Sequence, residues 1–309
     1  MINVLFAARP ERWTTYEAPL KAAFQELALE VNLRTDLAPQ EVDYIVYAPN
    51  SEVQDFGPYT DCKAVLNLWA GVEAITGNQT LTQPLARMVD YGLTQGMIEW
   101  VTGHVLRHHL GMDLHITGQD GDWRTFVPPL AEDRRVTILG LGELGMACAN
   151  ALAGLGFPVT GWSRSAKTAE GITCLNGPGG LTEALATADI LVLLLPNTPA
   201  TTNILNHETL SQLPKGAVII NPGRGQLIDD DALLTALDCG QVGHATLDVF
   251  RVEPLPKDHP YWAHPNVTVT PHIASETRPV SASRVIAQNI RRCEDGEPLL
   301  YLVDRAAGY

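Results

Sequence analysis

Three glycines in the stretch Arg135-Val136-Thr137-Ile138-Leu139-Gly140-Leu141-Gly142-Glu143-Leu144-Gly145-Met146-Ala147 have the spacing that holds a dinucleotide pyrophosphate. Gly140 permits a tight turn off a short β-rich run. Gly142 lets backbone approach a phosphate, and Gly145 lets the next helix pack closely on the strand. Glu143 and Leu144 open an Ala- and Leu-rich helix running to about Leu155. Its first N–H groups and positive dipole end face an anion. A bare G-x-G-x-x-G also marks ordinary turns, so the flanking strand and helix are what make this a dinucleotide signal.

A second signal lies one strand further on. Sites that take NAD place Asp or Glu there to accept from the ribose hydroxyls. This chain instead has Gly161-Trp162-Ser163-Arg164-Ser165-Ala166-Lys167, with no acid before Glu170. Arg164 can pair with a 2′-phosphate, and Ser163, Ser165 and Lys167 add donors, which predicts NADP(H) in preference to NAD(H). A solvated basic turn is the alternative, since surface Arg and Lys are the norm. The formal net charge of −14 makes cations beside a glycine loop informative and argues against a nucleic acid partner.

Further along, each predicted strand ends in more than a connection: Pro196-Asn197-Thr198-Pro199, Asn221-Pro222-Gly223-Arg224-Gly225, Asp248-Val249-Phe250 and Thr270-Pro271-His272. In open α/β sheets ligands lie off the carboxyl ends of the strands, where these segments fall. Other clusters carry less. His104 and His108 stand one helical turn apart but lack an acidic third ligand, so no metal is predicted; a helix surface or subunit contact suits them better. Asp229-Asp230-Asp231 is explained by a cap and acidic first turn of a helix. Cys62, Cys148, Cys174, Cys239 and Cys293 form no CxxC pair and are expected to be small buried hydrophobes in a reducing compartment.

The elements that position these residues follow from length and periodicity. At 309 residues and 45% hydrophobic content, two domains are expected, because single cores rarely grow beyond about 250–300 residues. Strands are predicted at Ile2–Ala8, Val31–Arg34, Tyr44–Tyr47, Ala64–Trp69 and Leu85–Met88, with a helix over Trp13–Leu29. A long helix over Thr94–His109 leads to a mixed, polar arm at Gly111–Asp133. Beyond it, strands at Val136, Val159–Trp162, Ile190–Leu195, Ala217–Asn221, Ala245–Val249 and Val267–Thr270 alternate with helices at Gly180–Thr187, His207–Leu213 and Asp230–Cys239. A last helix runs over Ser275–Arg292. This alternation predicts two doubly wound parallel-sheet α/β domains. No apolar run approaches the ~20 residues of a membrane span, and the first residues read as a strand and not a leader, which places the protein in the cytoplasm.

The motifs together are similar to those of the D-2-hydroxyacid dehydrogenase family. The resemblance rests on Gly140–Gly145, Leu195-Pro196-Asn197-Thr198-Pro199, Asn221–Gly225, Leu247-Asp248-Val249-Phe250-Arg251-Val252-Glu253-Pro254-Leu255 and Thr270-Pro271-His272-Ile273-Ala274. Trp162-Ser163-Arg164 and the tail Val303–Tyr309 resemble its glyoxylate/hydroxypyruvate reductase branch.

The resemblance implies a Rossmann cofactor domain over residues 98–279 and a smaller, flavodoxin-like lid built from 1–97 plus 280–309, hinged at two crossovers. It implies a homodimer through the cofactor domains, with the Gly111–Asp133 region against the partner. His272 would donate a proton to the substrate carbonyl, Glu253 would orient the imidazole, and Arg224 would hold the carboxylate and polarise the keto oxygen. The backbone of Ala70 and Gly71 would form an anion nest. Trp69 and, on weaker grounds, Tyr47 would wall the pocket; packing in the domain core is the alternative for Trp69. The expected cofactor contacts are Gly140, Gly142, Glu143, Leu144, Gly145, Trp162, Ser163, Arg164, Ser165, Lys167, Leu195, Pro196, Asn197, Asn221, Pro222, Gly223, Asp248, His272 and Ala274. The implied reaction is NADPH-dependent reduction of glyoxylate or hydroxypyruvate. A broader 2-ketoacid or 2-ketogluconate reductase, and a non-catalytic NAD(P)H-sensing protein, are the competing functions.

Overall fold

A computed structural model of the chain describes residues 1–308; Tyr309, the last residue of the expected lid segment and of the tail motif, lies outside the described residues. Two compact units are present, one formed by Met1–Leu93 with the segment from Glu276 onward, the other by Thr94–Ser275.

The first unit holds β1 (Ile2–Ala7), α1 (Pro10–Glu26), β2 (Val31–Arg34), β3 (Tyr44–Tyr47), β4 (Ala64–Asn67), α2 (Glu73–Thr76) and β5 (Leu85–Ala86). Its five parallel strands run in the order β2-β1-β3-β4-β5. Every residue of β3 and β4 is buried, as a parallel sheet covered on both faces requires. That burial corrects the place expected for Tyr47. It is 2% exposed and packs edge-on against Phe56 in a cluster with Leu5, Val65 and Ile75. Tyr47 is a core residue of this unit.

The second unit contains α3 (Tyr91–His109, which begins in the first), α4 (Met112–Ile116), β6 (Val136–Leu139), α5 (Glu143–Gly154), β7 (Val159–Ser163), β8 (Ile172–Asn176), α6 (Gly177–Ala186), β9 (Ile190–Leu193), α7 (His207–Ser211), β10 (Ala217–Asn221), α8 (Asp230–Asp238), β11 (Val242–Leu247) and β12 (Val267–Val269). Seven strands run parallel in the order β12-β11-β10-β9-β6-β7-β8. The order reverses between β6 and β9, the switch point at which dinucleotides bind such sheets. Edge strand β8 was not anticipated: with one neighbour and only Ile172 buried, it lacks the apolar run of an inner strand.

The chain then returns through α9 (Pro279–Glu294), whose Ala282, Ile286 and Ile290 are buried in one cluster with Val4, Leu20 and Phe24 of the first unit. Asp229 caps α8 by accepting from the Ala232 amide at 2.9 Å, as its position suggests. His108 does not lie on a bare helix surface. His108 Nε2 is 2.9 Å from Thr246 Oγ1 of β11, its ring is 4.8 Å from that of His244, and burial lowers the His108 pKa to about 3. All five cysteines are free; Cys62 and Cys148 are buried as expected, but Cys239 is exposed at the end of α8. Around the arm, Ile116, Trp123, Val127 and Leu130 are exposed, Trp123 by 94%. No helix among the described residues is long and apolar enough to cross a membrane.

Candidate active site

The glycine loop sits at the switch point with the geometry a phosphate needs. Gly140 has φ 110°, and a Cβ there would lie 2.5 Å from the Leu194 carbonyl oxygen, so no side chain fits between the ends of β6 and β9. A Cβ on Gly145 would fall 1.7 Å from the Gly140 oxygen, which is how α5 reaches its strand. At Gly142, in contrast, a Cβ would meet nothing within 4 Å. The amides of Glu143, Leu144 and Gly145 begin α5, where the first turn has no intrahelical acceptors. Space beside Gly142 and donors at the helix end fit an anion, and these residues therefore fit a dinucleotide pyrophosphate.

After β7, the residues divide. Arg164, Ser165 and Lys167 are exposed on the loop. Ser163 is buried and its hydroxyl donates to the Ser165 carbonyl at 2.8 Å, so it shapes the loop from within. Trp162 is also inside, its indole N–H donating to the Gly177 carbonyl at 2.9 Å. The loop after β9 closes on itself: Thr201 Oγ1 donates to the Pro196 carbonyl at 2.6 Å and Thr202 Oγ1 to Asn197 Oδ1 at 3.2 Å. Leu195 packs in the core beneath.

Adjacent strands β10, β11 and β12 present the chemical groups. Asn221, buried at the end of β10, donates through Nδ2 to the Arg224 carbonyl at 2.9 Å and accepts from the Gly223 amide at 3.1 Å. Its side chain thus holds the Arg224 loop. Arg224 Nη1 donates to the Gly223 carbonyl at 2.7 Å. Gly223 and Gly225 are needed for closeness, since a Cβ on Gly225 would fall 2.0 Å from the Phe250 carbonyl carbon. Beyond β11, Glu253 accepts from the Phe250 amide through Oε1 at 2.9 Å, leaving Oε2 2.7 Å from His272 Nδ1. The His272 side chain is 52% exposed, so its other ring nitrogen can face a substrate.

His272 is held there by Asp248, which is fully buried. Asp248 Oδ1 accepts from Thr270 Oγ1 at 2.6 Å and from the Ile273 amide at 2.9 Å. Its Oδ2 accepts from the Ala274 amide at 2.9 Å, and its backbone oxygen takes the His272 amide at 2.8 Å. These bonds impose the left-handed φ of 53° at His272. Asp248 and Ala274 have committed these groups to the loop that aims His272.

In the first unit, Trp69 is 41% exposed, which excludes burial in the domain core. Asn67 Nδ2 donates to the carbonyls of Trp69 and Gly71 at 2.9 and 3.1 Å, and the Met88 amide also donates to Trp69. With their carbonyls turned onto Asn67, the residues Trp69–Gly71 form a turn whose amides suit an anion. Asn67 was missed; the only sign of it is a polar residue ending an apolar strand.

Comparison with known proteins agrees with this geometry. Residues 103–274 match the family described as D-isomer specific 2-hydroxyacid dehydrogenase, NAD binding domain. The chain is 41% identical over 255 residues to the glyoxylate/hydroxypyruvate reductase A of Serratia proteamaculans (strain 568), covering 80% of this chain and 82% of that one. Among solved structures it is similar to a D-isomer specific 2-hydroxyacid dehydrogenase from Xanthobacter autotrophicus Py2 in complex with NADPH and MES, with a TM-score of 0.92, 39% identity and coverage of 100% and 99% of the two chains. It is also similar to the NADPH-dependent glyoxylate/hydroxypyruvate reductase of Sinorhizobium meliloti in complex with NADP and sulfate, with a TM-score of 0.86, 36% identity and coverage of 100% and 99%. The chain belongs to the D-isomer specific 2-hydroxyacid dehydrogenase family.

Proposed function

We propose that this protein reduces small 2-oxo acids, glyoxylate and hydroxypyruvate first, to glycolate or the D-2-hydroxy acid, using NADPH. The observation that carries this reading is the 2.7 Å pairing of His272 with Glu253 on a loop clamped by Asp248, at the sheet edge that also carries Arg224. Gly140–Gly145 and the first turn of α5 would hold the pyrophosphate, and Arg164 with Lys167 the 2′-phosphate. The complexes of the similar Xanthobacter and Sinorhizobium proteins with NADPH and NADP support that cofactor.

When bound, the nicotinamide supplies the hydride that reduces the carbonyl carbon. The protein's task is the charge that develops on the oxygen. A carboxylate only accepts, so Glu253 fixes the proton of His272 on Nδ1 and leaves Nε2 to deliver a second proton to the substrate oxygen. Arg224 has a planar fork that can take the substrate carboxylate and the keto oxygen together, which Lys cannot reproduce. In the first unit, the Trp69–Gly71 turn is a separate anion-binding element suited to a carboxylate. We further assign the exposed apolar arm around Trp123 to a homodimer contact, since scattered apolar groups are normal but a grouped set marks an interface.

Steady-state kinetics on a panel of 2-oxo acids, simple aldehydes and ketones, with NADPH and NADH, tests the proposal. Glyoxylate and hydroxypyruvate with NADPH are expected to give the highest kcat/KM, and carbonyls lacking a neighbouring carboxylate the lowest. A preference for large 2-keto sugar acids would favour the broader reductase, and no turnover with tight NADPH binding would favour a sensing protein.

A further inference from the structure

Arg251 lies two residues before Glu253 and has no part in the chemistry above, yet its side chain reaches the loop after β9, the end of the Arg224 turn and the start of α8. Its Nη2 donates to the Ile228 carbonyl and to Asn203 Oδ1, and its Nε is 3.5 Å from Asp230 Oδ2. Each contact ends on a different element. Ile228 closes the turn that begins at Arg224, because its amide donates to the Gly225 carbonyl at 3.2 Å and that of Leu227 to the Arg224 carbonyl at 3.3 Å. Asn203 sits in the loop after β9 with φ 53°, and its amide donates to the Gln226 carbonyl at 2.9 Å. Asp230 opens α8 and also accepts from the Tyr261 hydroxyl at 2.9 Å, so it joins the segment downstream of Glu253.

Backbone hydrogen bonds tie the Asn203 loop to the Arg224 turn, from the Asn203 amide to the Gln226 carbonyl, from Leu205 to Leu227 and from Asp229 to Leu205, and Arg251 reaches both segments through its side chain. Gly225 allows the Arg224 turn to lie against Phe250 and Arg251, but a glycine contact is van der Waals packing with no directional bond. A guanidinium offers five donors in a fixed fork, and here one such group binds three acceptors on three segments. We propose that Arg251 is a positioning residue that sets the register of the Arg224 turn against the Glu253 loop, and so the alignment of the carboxylate-binding arginine with the His272–Glu253 pair. The inference rests on the assignment of those three residues above.

Its consequences separate from general stability. Arg251→Ala should raise KM for the 2-oxo acid, through Arg224, and lower kcat, through Glu253, with a combined loss in kcat/KM of about 10- to 100-fold. Misplacement of about 1 Å has an effect of that size. NADPH affinity, measured by fluorescence titration, should stay within about twofold of wild type. Added methylguanidinium should restore part of kcat in Arg251→Ala, and Arg251→Lys should fall between the two, since an ammonium cannot span all three acceptors.

Hydrogen exchange read by mass spectrometry supplies a measurement that needs no turnover. In Arg251→Ala, amides in segments 224–229 and 250–254 should exchange faster together. Faster exchange confined to 250–254, or a lowered Tm with KM and kcat unchanged, would overturn the proposal. If the wild-type protein turned over no 2-oxo acid, the functional assignment would fail instead, and the paired exchange result would still decide whether Arg251 couples the two loops.

Discussion

Two ends of the same sheet are built to different standards. At the carboxyl ends of β10–β12, buried Asn221 and Asp248 fix loop backbone through short hydrogen bonds, and Gly223 and Gly225 let the Arg224 turn approach Leu193 and Phe250 closely. At the end of β7, Arg164, Ser165 and Lys167 stand exposed, while Ser163 and Trp162 bond inward. The difference follows from the work assigned to each end. Delivering a proton to a carbonyl requires reacting atoms held within fractions of an ångström. Attracting a phosphate dianion requires charge nearby, which long flexible side chains supply.

The largest expected effect comes from loosening the rigid end. Asp248→Ala would leave the Ile273 and Ala274 amides without their acceptor, and hydrogen bonds to a charged acceptor are worth about 1.5–3 kcal/mol each. Thermal unfolding should show a Tm lowered by several degrees, and kcat/KM should fall by at least ~10²-fold as the His272 loop relaxes. A normal Tm with normal kinetics would mean that the clamp is dispensable. Arg224→Ala acts on chemistry at the same end with little change in fold. Its kcat/KM should fall by at least ~10²-fold while NADPH binding is retained, because the donor proposed to stabilise the developing charge is lost.

At the loose end, Arg164→Ala should weaken NADPH by about 10- to 100-fold, leave NADH nearly unchanged, and leave the Tm where it was. Equal losses for both cofactors, or a fall in Tm, would erase the proposed contrast between the two ends.

A smaller effect concerns the underside of β11, the strand that presents Asp248. Burial, the leading cause, lowers the pKa of His108 to about 3 and of His244 to about 4; each ring also repels Arg107, with Asp113 opposing. Both rings are therefore neutral in the folded protein, while an unfolded chain takes up protons near pH ~6.5. Stability from this pair is fully present above about pH 6.5 and is lost as pH falls toward 4 and below, at up to about 1.4 kcal/mol per pH unit for each ring. His108→Gln keeps a partner for Thr246 without the titration, and Tm plotted against pH should have a shallower acid limb. An unchanged limb would remove His108 from the account.

Much of this was legible before the structure. The G-x-G-x-x-G loop, the inner strands and the Asp229 cap each carry a local signature, because turn sterics, burial on both faces and helix-end donors act within a few residues. What was not legible depends on contacts distant in sequence. An Asp at a strand end does not declare whether it will face a ligand or clamp a loop 22 to 26 residues away, as Asp248 does. Tyr47 ends a strand like a pocket residue, but alternation cannot give its facing when all four residues of β3 are buried. Strand β8 was missed because a half-buried edge lacks the apolar run. Arg251 stood inside the quoted motif, yet its three acceptors come from elsewhere in the chain.

The central claim is that His272, oriented by Glu253, delivers the proton. Stopped-flow measurement of NADPH oxidation by glyoxylate in a single turnover tests it directly, comparing wild type with His272→Gln after NADPH binding is matched by titration. The account predicts a rate lowered by at least ~10²-fold with NADPH still bound, the range for loss of a general acid. A wild-type single-turnover rate in His272→Gln at neutral pH would contradict it.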